Sequence, residues 1–325
     1  MDETGKDRRK YLPEGMKFEM FGERHLYYSK AALVHAKESG EILEGIAQLC
    51  DEHYDLTVEL GCMQGKISRE QVAYDPEGKE KEIAIITRVG KAICFKVVGF
   101  SVGENGEEYA VLSRKAAQIE CRKMFLNALV PGDVIPARVT HMEPFGAFVD
   151  IGCGCVSLLP IDCISVSRIS HPADRFRAGM SIYVILKSID RESGRFYVSH
   201  KELLGTWEEN ASEFRVGQTV RGIVRSVEEY GVFIELTPNL AGLAEYREDL
   251  QVGQSVSVYI KSIMVHRMKI KLVVVDTACT QQMKKHFEYC IPKWHMDYFQ
   301  YSPVGSDKII QTVFCQSDTC QPSPK

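Results

Sequence analysis

The sequence predicts a mainly β protein: three small five-stranded barrels in tandem, joined by short helices. A recurring phrase carries most of that prediction. Pro131-Gly132-Asp133-Val134 leads to Phe145-Gly146-Ala147-Phe148-Val149-Asp150, and 85 residues later Val216-Gly217-Gln218-Thr219-Val220 leads to Tyr230-Gly231-Val232-Phe233-Ile234-Glu235. The same offset carries Leu158 to Leu243, so one design is used twice. A third, more diverged copy precedes them. There Val58-Glu59-Leu60-Gly61 lies over Val149-Asp150-Ile151-Gly152, Val89-Gly90-Lys91 over Ala178-Gly179-Met180, and Leu112-Ser113-Arg114-Lys115 over Val198-Ser199-His200-Lys201. Short alternating stretches bounded by turn residues supply the strands.

Taken in order, residues 1–39 hold a polar start, an aromatic patch (Phe18, Phe21, Tyr27, Tyr28) and a helix candidate over 30–38. The first copy, 40–118, shows strand patterns at 42–50, 56–61, 83–87, 92–98 and 109–112. The second copy occupies 130–204 and the third 215–276, with connectors rich in Ala, Glu, Lys and Leu at 114–129 and 201–214. In the second copy Ile182, Val184 and Leu186 share one strand face and Tyr183, Ile185 and Lys187 the other, and the run from Asp190 to Gly194 reads as a hairpin turn before a last strand at 195–199. Gly179 maps to Gly253, an offset of 74, so the third copy lacks about eleven residues found around 165–174. Five strands in so short a stretch are enough for a closed barrel of the oligonucleotide-binding (OB) kind. The remainder, 277–325, opens on a helix candidate and carries an aromatic stretch from Trp294 to Pro303, read as a segment folded against the last barrel, with a partner-docking stretch as the lesser alternative.

At 325 residues the chain is long enough for two or three small domains. No apolar run approaches the ~20 residues that span a bilayer, and the polar start lacks the apolar stretch of a signal peptide, so a cytoplasmic location is expected. Eleven cysteines, odd in number and irregular in spacing, fit reduced thiols better than a disulfide framework. Cys153-Gly154-Cys155 lacks the Cys-x-x-Cys spacing of a zinc site, and no metal or cofactor is expected. The net charge of −4 excludes a strongly basic nucleic-acid coat, leaving local patches to do any such binding. Phosphate-loop, nucleophile-elbow and zinc-helix motifs are missing from the sequence, so no catalytic residue is expected. His171 and His200 read as loop and strand-end residues, and Glu208/Glu209 and Glu228/Glu229 as solvated faces.

The chemistry lies on the outer strand faces. In the third copy Val232, Ile234 and Leu236 share one face while Phe233 and Glu235 share the other. In the second, Ala147, Val149 and Ile151 face inward and Phe148 and Asp150 outward. Just before each strand, Phe145 or Tyr230 is followed by glycine, whose backbone freedom lets the ring turn back onto the same surface. Two rings so placed make a stacking platform for unpaired bases, each stacked base being worth ~1–3 kcal/mol. A lone exposed aromatic on a strand is ordinary surface packing; recurrence with the glycine favours function. Arg138, Arg168, Arg175, Arg177 and Arg195 in the second copy, and Arg221, Arg225, Lys261, Lys269 and Lys271 in the third, are the candidate phosphate contacts. The first copy keeps Leu56, Val58 and Leu60 inward but puts Thr57 in the aromatic's place. Tyr54 alone remains of the pair, which predicts a barrel without most of the platform.

Gly132-Asp133-Val134, Phe145-Gly146-Ala147-Phe148-Val149, Gly179, Ile189-Asp190, Gly194-Arg195 and Val198-Ser199 together resemble the RNA-binding motif of the bacterial small-subunit ribosomal protein S1 family. Residues 216–275 are similar to a second example and 40–115 to a worn one, and the run from Ser165 to Pro172 resembles a loop of the ribosomal members. The resemblance implies an OB-fold barrel that contacts single-stranded RNA through a strand-two aromatic pair, a histidine, an aspartate and an arginine. Position by position these are Phe145, Phe148, Asp190 and Arg195 in the second copy. In the third they are Tyr230, Phe233 and Lys269, with Met264 at the aspartate's place. The histidine's place holds Pro160, Glu245 and Ser68 in the second, third and first copies, and Glu245 would repel a nearby phosphate. Such barrels also occur in nucleases, in initiation and transcription factors, and in docking modules.

The resulting expectation is a non-enzymatic RNA-binding protein acting on messenger RNA in or near translation. Phe145, Phe148, Tyr230 and Phe233 would stack bases, Arg168, Arg195 and Lys269 would hold backbone, and Asp190 would complete the site. Single-stranded RNA is the expected partner and the small ribosomal subunit a candidate one, with no membrane and no small-molecule substrate. The rival expectation is a protein-docking scaffold on the ribosome or an RNA-processing complex.

Overall fold

The computed structural model describes residues 10–22, 27–74, 82–190, 192–277, 287–291 and 293–314. Two short helices, α1 (Met16–Phe21) and α2 (Lys30–Ser39), precede a barrel of β1 (Leu43–Cys50), β2 (Leu56–Glu59), β3 (Gln64–Ile67), β4 (Ala92–Val102) and β5 (Glu108–Ser113), with α3 (Glu82–Ile86) between β3 and β4. Helix α4 (Arg114–Met124) leads to a second barrel of β6 (Val134–Glu143), β7 (Gly146–Asp150), β8 (Val156–Pro160), β9 (Ser181–Asp190) and β10 (Arg195–Ser199). Helix α5 (Trp207–Ser212) leads to a third of β11 (Thr219–Glu228), β12 (Gly231–Thr237), β13 (Leu240–Ala244), β14 (Ser255–Met264) and β15 (Lys269–Asp276). Each barrel is closed and has the same strand order, first-second-third-fifth-fourth. The protein is thus mainly β, with three tandem OB-type barrels.

The repeated glycines have a common structural cause. Gly90, Gly179 and Gly253 all sit at positive φ (77°, 82° and 87°), a region that side-chain-bearing residues rarely adopt. Each directs its amide to a first-strand carbonyl: Ala47 at 2.7 Å, Val139 at 2.7 Å and Val224 at 2.8 Å. That turn launches the fourth strand, which is why the three sequences agree there despite their divergence. Side-chain caps then fix the connectors. Ser113 Oγ accepts from the Ala116 amide at 2.9 Å to start α4, and Thr206 and Glu209 form a reciprocal capping box on α5.

In the first barrel one expected strand fails and one observed strand is unexpected. The 83–87 stretch is helical: Ile85 is buried against the barrel core while Ile83 and Ile86 stay exposed. Tertiary packing of one isoleucine overrides the β preference of the run. The missing strand is β3, whose Gln-Gly-Lys-Ile composition hides it; its Gly65 lies so close to Leu112 that a Cβ there would approach Leu112 Cδ1 to 2.3 Å. In the second barrel Ile185, expected on the outer face, is fully buried. It packs with Val134, Leu203 and Phe314, because the C-terminal segment covers that face.

The chain divides into two compact units. The first is Met1–Leu129 with Pro136–Arg138 and Val149–Ser157. Within it Glu14 forks onto Arg114 (Nε at 2.6 Å, Nη2 at 2.9 Å). Burial opposes the Glu14 charge, but Arg114 outweighs it and holds that carboxyl below its usual range. The second unit is Val130–Ile135, Val139–Phe148 and Leu158–Lys325. There the tail runs along both the second and third barrels, rather than the last alone. The Cys290 amide donates to the Leu203 carbonyl, that of Val134 to Trp294, that of Met296 to Gly132, and that of Trp207 to Tyr301, all at 2.8–2.9 Å. The helix candidate at the start of the tail lies largely outside the described residues.

Candidate nucleic-acid interface

On the second barrel Phe145 is 56% exposed and meets half-buried Phe148 edge to face, with centroids 6.0 Å apart and planes at 90°. On the third, Tyr230 is 71% exposed and meets Phe233 in the same way, at 6.1 Å and 84°. Their strand neighbours Ala147, Val149, Val232 and Ile234 are fully buried, so both phenylalanines lie on the outer side of the wall and not in the core. The glycine after the first ring serves partly as expected. Gly231 has φ 146°, whereas Gly146 has no positive φ. What both supply is room: a Cβ would sit 2.6 Å from the Leu159 carbonyl at Gly146 and 2.5 Å from the Ala244 carbonyl at Gly231.

Arg195 opens β10 directly opposite Asp190, and Lys269 opens β15 directly opposite Met264, as the alignment of the copies requires. Both cations are exposed. Asp190 spends its oxygens on the hairpin turn, accepting from the Ser193 hydroxyl and from the amides of Glu192 (3.0 Å) and Ser193 (3.3 Å). The Ser193 hydroxyl, then those amides, hold the carboxyl below its usual range. Arg168 is exposed on the loop between β8 and β9. That loop is tied to the third barrel by the Val166 amide on Asn239 Oδ1 (3.0 Å) and the Ser167 amide on the Pro238 carbonyl (3.3 Å).

Four outward assignments change. Arg175 is buried and forks onto Glu235, Nη1 to Oε1 at 2.9 Å and Nη2 to Oε2. Arg225 joins the same carboxylate through Nε at 2.6 Å and lies 3.4 Å from Asp174. Neither guanidinium is available to a phosphate, and Glu235 is an interior anion rather than a surface one. Asp150 is likewise buried, accepting from the amides of Glu14 (2.7 Å), Gly152 (2.8 Å) and Gly154 (3.0 Å). Burial and then the Glu14 charge push it up to about 7. Arg175 stands on the β8–β9 loop, Arg225 and Glu235 within β11 and β12, and Asp150 at the end of β7; each side chain is packed against other segments of the chain, which the sequence pattern alone does not show. Arg138, a fifth candidate, pairs with Glu19 at 2.9 Å.

Two side chains were not singled out by sequence. His141 stacks on Phe148, 6.2 Å between centroids with planes 21° apart. Tyr197 pairs across the ladder with Leu158 on the outer face. Recurrence could not flag them, since the 85-residue offset leads from His141 to Ser226 and the ladder equivalent of Tyr197 is Lys271. In the first barrel Tyr54 is occupied, its hydroxyl on Glu82 at 2.9 Å and Arg69 over its ring at 5.0 Å. Cys94, Cys121, Cys153 and Cys155 are buried free thiols. The hydrogen bond that Cys94 donates to Cys153, and then burial, push the Cys94 thiol far up. Among the described residues no group of three or more His, Cys, Asp or Glu could hold a metal ion, and no helix is long and apolar enough to cross a membrane.

Three barrels of one strand order, two of them with a ring pair projecting from the second strand, define a tandem OB-fold protein of the oligonucleotide-binding type. Residues 129–201 match the S1 RNA binding domain. A small ribosomal subunit protein bS1 homolog from Bacillus cereus is 27% identical over 68% of this chain and 61% of its own length. The small ribosomal subunit protein bS1 of Staphylococcus saprophyticus is 32% identical over 51% of this chain and 46% of its own. The family match covers the second barrel, and the chain spans about half to three-fifths of the length of these two relatives. A crystal structure of a multidomain protein with nucleic acid binding domains from Streptococcus pneumoniae aligns over 75% of this chain and 76% of its own, at 14% identity and a TM-score of 0.24. That likeness is too slight to carry any weight.

Proposed function

We propose that this protein is a non-enzymatic, cytoplasmic binder of single-stranded RNA that grips messenger RNA in or near translation with its second and third barrels. The observation that carries the reading is the matched geometry of Phe145–Phe148 and Tyr230–Phe233: the same edge-to-face pair at 6.0 and 6.1 Å, at equivalent strand positions. A ring held at the surface costs solvent-exposed apolar area in one barrel, and repeating it invites a common ligand whose flat faces cover both. Every nucleobase has such a face. Arg195 and Lys269, equivalent and exposed, supply phosphate contacts beside the rings. Arg168 stands on an anchored loop as a further backbone contact. Asp190 acts by holding the turn that presents Arg195. Relatives named as small ribosomal subunit proteins support action at or near that subunit.

The test is titration of a labelled single-stranded RNA with the intact chain and with Phe148→Ala plus Phe233→Ala at two salt concentrations. RNA binding through the rings predicts a loss of ~1–3 kcal/mol for each stacked base removed, with the salt slope retained. A scaffold that docks on protein and scarcely touches RNA predicts no change.

A further inference from the structure

The outer faces of the two ring-bearing barrels differ on either side of the rings. In the third barrel, successive ladder partners are Ser226, Phe233, Leu243 and Lys271. In the second barrel the corresponding row is His141 stacked on Phe148, then Leu158 and its partner Tyr197. One barrel therefore flanks its phenylalanine with two further flat rings; the other flanks it with a hydroxyl and an ammonium. The third barrel adds exposed Lys261, Arg267 and Lys269 around Lys271. In the second barrel, Glu143 lies 2.6 Å from His141 Nε2 and sets a carboxylate beside the stacking row.

Resting on the RNA reading above, we propose a division of labour: the second barrel reads bases by stacking, with His141 and Tyr197 as additional stacking residues, and the third barrel grips phosphates, with Lys271 beside Lys269. Stacking is nearly independent of salt, because no counterion is released when a base meets a ring. Each phosphate contact to a single strand instead contributes about −0.7 to the slope of log affinity against log salt. The two barrels are then distinguishable by salt alone.

Measure fluorescence anisotropy of a labelled 12-nucleotide oligouridylate with the full chain between 50 and 200 mM salt. Use Tyr230→Ala plus Phe233→Ala to leave the second barrel in charge, and Phe145→Ala plus Phe148→Ala for the third. In the first background, adding His141→Ala and Tyr197→Ala should weaken binding about tenfold or more at an unchanged slope, and His141→Phe with Tyr197→Phe should restore it. In the second, Lys269→Ala with Lys271→Ala should flatten the slope by about 1.4, two contacts' worth. If the alanine changes at 141 and 197 stay within twofold while the ring pairs themselves matter, this inference falls and the RNA reading stands. Should the parent chain fail to bind oligouridylate even at 50 mM salt, both fall.

Discussion

The first barrel and the third share a strand order, a left-handed glycine before the fourth strand and an interior of Val, Ile and Leu, yet their outer surfaces have little in common. From first to last strand, residues 43–113 hold 13 Asp and Glu against 7 Lys and Arg, a net of −6. Residues 134–199 hold 6 against 7, a net of +1, and residues 219–276 hold 7 against 7, a net of 0. Thr57 stands where Phe148 and Phe233 stand, and Lys66 lies over the Tyr109 ring at 4.7 Å. Inward positions fix the barrel and tolerate little; outward positions are free to change sign and shape. The first barrel differs from the other two in charge and in rings together.

A single second-strand position makes the contrast testable. Glu59, Asp150 and Glu235 are equivalents in the three barrels. In the first two the carboxylate caps its own turn, accepting from Gly61 N at 2.9 Å and from Gly152 N at 2.8 Å. In the third it is buried and holds Arg175 and Arg225, which joins the second barrel to the third. Glu235→Ala strands two buried guanidiniums and should cost ~3–5 kcal/mol of stability, whereas Glu59→Ala at a partly exposed site should cost no more than ~1 kcal/mol. Urea unfolding of the two variants checks this. Equal, small losses would show that the ion cluster is wetter and looser than its burial indicates.

The next effect concerns acid. His200, absent from the first barrel's pattern, is buried in the second unit among the rings of Phe176 (5.2 Å), Phe287 (4.8 Å) and Tyr289 (5.6 Å). Its Nδ1 donates to the Ile164 carbonyl at 2.8 Å, so Nε2 is the acceptor facing the Tyr289 hydroxyl at 3.2 Å. Burial lowers its pKa to about 4, with the Ile164 carbonyl opposing and the Arg175 charge assisting. The unfolded chain then takes up a proton near pH 6.5 that the folded chain refuses until about pH 4. Stability from this group is complete above pH 6.5 and falls through that window by ~3 kcal/mol. His200→Gln should remove that part of the acid dependence of the urea midpoint. A wild-type slope retained in the variant would assign the acid sensitivity to carboxylates instead.

Most of the architecture was legible because each barrel repeats it: glycines that need positive φ and inward residues at period two recur at fixed offsets, and recurrence is strong information. The ring pairs were legible for the same reason. What escaped depends on contacts made once. Ile185 and the tail that buries it, the Arg175–Glu235–Arg225 cluster, and α3 in place of a strand each arise from packing between segments with no counterpart in another copy. His141 and Tyr197 escaped because their equivalents are Ser226 and Lys271, so comparing copies hid the residues that distinguish them.

The smallest expected effect is the most informative about that division. Thr57→Phe installs in the first barrel the ring that the other two carry, on a strand already shaped to bear it. An RNA strand laid on that face would meet a barrel of net −6 with Glu59 two residues along the same strand. At low salt the like-charge field extends about 10 Å or more, and the stacking gain of one base is offset by phosphate repulsion. RNA affinity of the full chain should therefore change by less than twofold at 50 mM salt, measured by anisotropy with the same oligouridylate. A gain of fivefold or more, the lower end of one stacked base's worth, would mean that ring identity alone decides which barrel binds, and that the acidic surface of the first barrel is incidental to its lack of rings.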